Sequence, residues 1–138
     1  MGNTMLRKRL RSALAVGCLV VGSTLIFEAP AQAASSHAIA KTNGTRAAEV
    51  WFNRANGSHG NSAWFDLYDA KCDAKPVYVT WKFVTGGWSR WESATNDGGC
   101  GNTMGINLGG GGFTIDYKVC VDDGFLDDSC SGTVRDHN

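Results

Sequence analysis

Polar and apolar residues alternate along two stretches of the chain. In Val77-Tyr78-Val79-Thr80-Trp81-Lys82-Phe83 the odd positions are apolar, and in residues 113–121 the same holds for Phe113, Ile115, Tyr117, Val119 and Val121. A period of two puts successive side chains on opposite faces of a strand, so these two sets face a core and Cys120 points outward. Weaker patterns of this kind predict seven strands: 49–53, 63–69, 77–84, 88–93, 103–108, 113–121 and 129–135. Between them stand turn-forming clusters: Asn56-Gly57, Asn96-Asp97-Gly98-Gly99, Gly109 to Gly112, and Asp123-Gly124. Residues 34–48 are small and polar without clear periodicity and read as a flexible N-terminal arm.

The turn after Phe83 offers two registers. A two-residue Gly86-Gly87 loop pairs Phe83 with Arg90 and turns Arg90 and Glu92 to the core face. A three-residue loop, Thr85-Gly86-Gly87, pairs Phe83 with Ser89 and Trp81 with Trp91, and sends both charges outward. A one-residue slip exchanges the faces, and buried charge costs more than a turn preference. The three-residue loop is therefore expected, with Trp91 in the core and Trp88 outward. Seven short strands with frequent turns predict an all-β fold, a single small antiparallel β-sandwich of immunoglobulin-like type spanning 49–138.

The N-terminus changes how the rest is read. Arg7, Lys8, Arg9 and Arg11 precede an apolar run over 12–27, and Ala31-Gln32-Ala33 is a small-residue cleavage site. Residues 1–33 thus read as a secretory signal peptide, too short in its apolar part for a membrane span. A lipoprotein alternative would acylate Cys18, but its apolar stretch is short and leaves Ala33 without a role. Roughly 105 of the 138 residues remain, enough for one small domain. Nine Lys and Arg then face twelve Asp and Glu, a net charge near −3. That argues against a nucleic-acid partner and against attraction to anionic membranes.

Four cysteines stay in the secreted chain: Cys72, Cys100, Cys120 and Cys130. Four allow three pairings, and spacing alone does not choose among them. An oxidising destination favours two disulfides over a metal site, and the scattered His37, His59 and His137 do not suggest zinc. Cys72–Cys100 and Cys120–Cys130 are expected, the second as a staple across one hairpin.

The alternation puts Trp51, Trp64, Tyr68, Tyr78 and Trp88 on outer faces, which makes them candidate partner-binding residues together with His37 and Ile39 in the arm. The Asp122-Asp123-Gly124-Phe125-Leu126-Asp127-Asp128 loop offers oxygens for calcium but lacks the spaced D-x-D-x-D pattern, so no metal or other cofactor is expected. His59 beside Ser58 or Ser62 has no nucleophile motif around it. Asp66, Asp69 and Glu92 are the carboxylates available for glycoside hydrolysis, yet Asp66 and Glu92 read as solvated strand positions. The expectation is a non-enzymatic binding protein. Its alternatives are a free-standing inhibitor or antimicrobial effector, and a carbohydrate or cell-wall module.

The layered plan resembles small secreted proteins of filamentous actinobacteria. It combines a basic signal ending in Ala-Gln-Ala, a polar arm, the segment FDLYDAKCDAKPVYVTWKF, and Tyr117-Lys118-Val119-Cys120-Val121 followed by Cys130-Ser131. Some proteins of this type look like adaptor subunits of umbrella toxin particles, in which a small β-sandwich links a lectin subunit to a helical-repeat toxin scaffold. The resemblance implies a secreted adaptor whose partners are a lectin-like subunit and a large toxin scaffold, with the N-terminal arm helping to dock one of them. It assigns no functional residue.

Overall fold

The computed structural model describes residues 36–57, 59–84 and 89–138, and all its regular structure is β. Nine strands follow in order: β1 Ser36–Thr42, β2 Thr45–Asn53, β3 Ala63–Asp69, β4 Val77–Phe83, β5 Glu92–Asn96, β6 Thr103–Gly109, β7 Thr114–Val121, β8 Ser129–Cys130 and β9 Val134–His137. One antiparallel sheet runs β1-β2-β3-β6; the other runs β5-β4-β7, with β8 and β9 both pairing β7. The sheets pack face to face, as an all-β sandwich requires. The core-facing sets anticipated on β4 and β7 are in place: Val77, Val79, Trp81, Ile115, Tyr117, Val119 and Val121 are buried, while Phe83 and Phe113 close one end half-buried. Residue Trp88, the loop 85–87 and the signal segment 1–33 lie outside the described residues.

The N-terminal arm is a strand. Residues 36–42 pair with β2 along their whole length, and Ala38 and Ala40 enter the core. Asn43 and Gly44 both take positive φ, 51° and 76°, which gives the mirror-image two-residue turn whose twist suits a hairpin. The register slips one residue between Ala40 and Lys41, leaving Ala47 and Ala48 buried in succession at a bulge. The sandwich therefore includes residues 36–48 and does not start at residue 49. The sequence signal was faint because β1 contributes only alanines to the core.

The β4–β5 register also differs from expectation. Trp81 pairs with Glu92, Val79 with Ala94 and Val77 with Asn96. The three-residue loop had paired Trp81 with Trp91. Burying a charge was the objection to this register, but β5 starts only at Glu92, on the sheet edge, where that side chain is exposed. Trp91 precedes the strand and is 43% exposed, with the Lys82 ammonium 5.1 Å from its ring centroid. The buried polar residue that results, Asn96, is satisfied. It donates to the Leu67 and Asn102 carbonyls, both at 3.0 Å, and accepts from the Gly98 amide at 3.0 Å.

Both disulfides form as expected, Cys72–Cys100 between the β3–β4 and β5–β6 loops and Cys120–Cys130 across the outer face of the β7–β8 hairpin. By loop-closure entropy they stabilise the fold by about 3–4 and about 3 kcal/mol respectively. Polar staples accompany them. Arg135 grips Asp116 with two bonds, at 2.6 and 2.9 Å, and Lys82 stands 3.8 Å away. Across the sandwich, the Tyr117 hydroxyl meets Ser36 Oγ at 2.8 Å, and Ser36 and Arg54 both donate to the buried Asp136 carboxylate.

Tyr117 supplies a pH prediction. Burial pushes its phenol up to about 12, with the Ser36 hydrogen bond opposing and the Asp136 charge adding. The folded state then holds a proton that the unfolded chain releases near pH 10. Stability is fully present below pH 10 and is lost as pH rises toward 12. Tyr117→Phe should flatten the alkaline fall of the thermal midpoint. A wild-type midpoint that stays constant from pH 9 to pH 11.5 would contradict the linkage.

Candidate binding face

The outward side chains of the β1-β2-β3-β6 sheet form rows set by the pairing. His37 lies beside Trp51, Trp51 beside Asp66, and Asp66 beside Gly105. In the next row come Ile39, Glu49, Tyr68 and Thr103. Diagonal neighbours on a strand pair lie within reach of aromatic rings, and Trp51 and Tyr68 tilt together with centroids 6.4 Å apart. Arg46, on β2, lays its guanidinium 5.8 Å from the Tyr68 centroid and donates to Glu49 at 2.7 Å. His37 stands 3.9 Å from the same carboxylate, so Glu49 is 5% exposed although it points away from the core.

Trp64 is placed on this face but is itself covered. A Cβ at position 105 would sit 3.1 Å from its six-membered ring, so a larger residue there would push the indole off by a few tenths of an ångström. His59, from the β2–β3 loop, stacks on Trp64 at 4.8 Å with an interplanar angle of 19°. The indole Nε1 is buried without a partner among the described residues. Asp66 is fixed by Asn53 at 2.7 Å and by His59 at 3.2 Å, both through Oδ2. Its Oδ1 lies 3.9 Å from where a Cβ at position 105 would stand.

Of the seven anticipated binding residues, Trp51, Trp64, Tyr68, His37 and Ile39 thus share one face, with Trp51, Tyr68, Ile39 and Trp64 half-buried and His37 exposed. Tyr78 belongs to the other sheet, where its hydroxyl donates to Asp128 at 2.5 Å and burial beside that carboxylate raises its phenol to about 12. Trp88 lies outside the described residues. The carboxylates weighed for hydrolysis are dispersed. Asp66 is on this face, Asp69 is buried at the end of β3, and Glu92 opens β5 on the other sheet. His59 is engaged with Trp64 and Asp66, and Ser58 is outside the described residues.

Sequence reasoning passed over the most exposed pair of large apolar residues among the described residues. Phe125 is 109% exposed and Leu126 75%, at the tip of the β7–β8 loop. The loop is braced rather than loose. Asp122 accepts from the Gly124 amide at 2.8 Å, Asp123 binds Lys75 at 2.5 Å and Ser129 at 2.7 Å, and the disulfide closes its base. The available signal was two large apolar residues between two Asp pairs, inside a short cysteine bracket.

This architecture defines a class, the disulfide-stapled all-β sandwich with an aromatic outer face. No protein-family model, no curated protein and no solved structure matches the chain.

Proposed function

We propose that this is a secreted, non-enzymatic protein-binding module, an accessory subunit of an extracellular complex, and that the outer face of the β1-β2-β3-β6 sheet is its docking surface. The supporting observation is the packed set Trp51, Tyr68 and Arg46, flanked by Ile39 and His37. Trp, Tyr and Arg dominate binding hot spots, and side chains already held by ring–ring and cation–π contacts and by the Arg46–Glu49 ion pair lose little entropy on docking. Two disulfides suit the oxidising surroundings of a secreted protein. The resemblance to toxin-particle adaptors supplies the candidate partners, a lectin-like subunit and a large toxin scaffold.

A carbohydrate reading has one observation in its favour. Asp66 Oδ1 is left over by the Asn53 and His59 bonds, in the row beside Trp51, a suitable acceptor for a sugar hydroxyl next to an aromatic platform. One experiment separates the two. The tagged protein is recovered natively from its own culture medium, and companions are identified by mass spectrometry. A stoichiometric protein companion is expected, with affinity falling at least ~30-fold in the Trp51→Ala/Tyr68→Ala variant. Retention on insoluble polysaccharide, lost in the same variant, would replace the protein partner with a sugar. Recovery of the protein by itself would end the adaptor reading.

A further inference from the structure

The β1-β2-β3-β6 sheet ends at β6, and this edge differs from the others. Open strand edges are usually blunted by charge, proline, a bulge or brevity. β1 carries His37, Lys41 and a bulge, and β5 opens on the exposed Glu92. β8 has two residues, and β9 carries Arg135 and Asp136. β6 has seven residues, and no charged residue or proline stands between Asp97 and Asp116. Its register slip lies beyond Asn107, so residues 103–107 form a regular strand.

The backbone of that stretch has one side free. The Asp69 amide donates to the Asn102 carbonyl at 3.2 Å, and Leu67 opposite Met104 and Phe65 opposite Ile106 continue the series. Alternate residues turn their amides and carbonyls to opposite sides of a strand. Met104 and Ile106 therefore bond β3, while Thr103, Gly105 and Asn107 present theirs away from the sheet. Among the described residues these outward groups have no backbone partner. Met104 and Ile106 pack on the core yet stay half-buried, for want of a neighbour on their far side.

We infer that a second copy of this chain pairs here, β6 against β6, joining the two four-stranded sheets into one. The strand pattern is symmetric about Gly105. In an antiparallel pair centred there, Gly105 faces Gly105, and Thr103 of each copy faces Asn107 of the other. Each of these facing pairs exchanges both backbone hydrogen bonds. On the core side Met104 faces Ile106, so apolar side chains meet and leave water together. The uncharged edge imposes no like-charge repulsion on its copy. A copy also brings its strand already extended and held by its own sheet, whereas a loose peptide pays to become ordered. The pairing closes under a two-fold axis and uses up the edge, so it does not propagate into a filament. The rows of Trp51 and Tyr68 stay free, and the dimer stands or falls independently of the function proposed for that face.

Sedimentation equilibrium of the purified protein from about 1 µM to about 1 mM should show a reversible monomer–dimer transition. Thr103→Pro should weaken it at least ~10-fold, because each copy loses a bonding amide. Proline is tolerated at the first residue of an edge strand whose amide faces solvent, and a thermal midpoint near that of wild type confirms folding. Thr103→Val keeps the amide and should associate within about twofold of wild type. Amide hydrogen exchange of the wild type supplies a readout free of any variant. Thr103, Gly105 and Asn107 should exchange fast in dilute solution and slowly in concentrated solution, while Met104 and Ile106 are protected in both. A protein that stays monomeric throughout overturns the inference. So does a dimer in which those three amides remain fast, or a folded Thr103→Pro variant that associates like wild type.

Discussion

Deleting Ser36–Thr42 is expected to abolish cooperative folding. The segment is an edge strand, but it is not dispensable. It places Ala38 and Ala40 in the core, and it packs across the sandwich toward β7, β8 and β9 as well as against β2. Without it the buried residues Val50 and Phe52 lose cover, the β2 ladder loses its partner, and Tyr117 and Asp136 lose Ser36. The sum exceeds ~5 kcal/mol, which is comparable to the whole stability of a domain this size. Urea unfolding followed by tryptophan fluorescence should show no transition for the truncated chain. A truncated protein that melts within a few degrees of wild type would mean that β1 is an appended arm after all. Any loss of partner binding on N-terminal truncation must therefore be read beside a folding measurement.

Asp136→Ala is expected to cost about 3–5 kcal/mol, the usual consequence of removing one member of a buried ion pair. The carboxylate is 7% exposed and collects Ser36, Arg54 and the His137 amide, tying the first strand, the β2–β3 loop and the last strand together. Its removal leaves the Arg54 charge without its counter-ion and the Ser36 hydroxyl with Tyr117 alone. The same group sets acid stability. Burial by itself would raise the Asp136 carboxyl, but the hydrogen bonds from Ser36, Arg54 and the His137 amide outweigh it and hold the group below the usual carboxylate range. Asp116, held by Arg135, is lowered as well. A lowered folded-state pKa contributes stability that is present above the unfolded value, near pH 4, and is lost as pH falls through the folded value. Wild-type stability should thus fall below about pH 4, and Asp136→Ala should be less stable at pH 7 with a shallower acid limb. Equal slopes in the two proteins would show that Asp136 is not a linked group.

Parts of this were legible in the sequence because they depend on local rules. Strict alternation in β4 and β7 named the core side chains there, since a strand cannot present one residue to both faces. The cysteine bracket around an evident turn marked the Cys120–Cys130 staple. The β1–β2 hairpin was legible too, but went unread. Asn43-Gly44 is the preferred dipeptide for a two-residue hairpin turn, and alternating Ala38, Ala40 and Thr42 lead into it. Small residues carry little hydrophobic signal, so the pattern passed for a polar arm.

Elsewhere the tertiary structure decided. The β4–β5 register turned on where β5 begins, because a charge opposite Trp81 is costly only if the sheet continues past it and buries it. The placement of Trp64 depends on Gly105, some forty positions away, whose missing Cβ leaves room for the indole beneath His59. Whether an outward aromatic is free or covered depends on neighbours from three strands, and alternation along one strand contains no such information. The amino-acid sequence by itself determined the all-β character, most strand positions and the pairing partners of the stapled hairpin, because those follow from near-neighbour sterics and the period of two. Only the folded chain decided which faces are sealed and which stay open, because that depends on contacts between residues far apart in sequence.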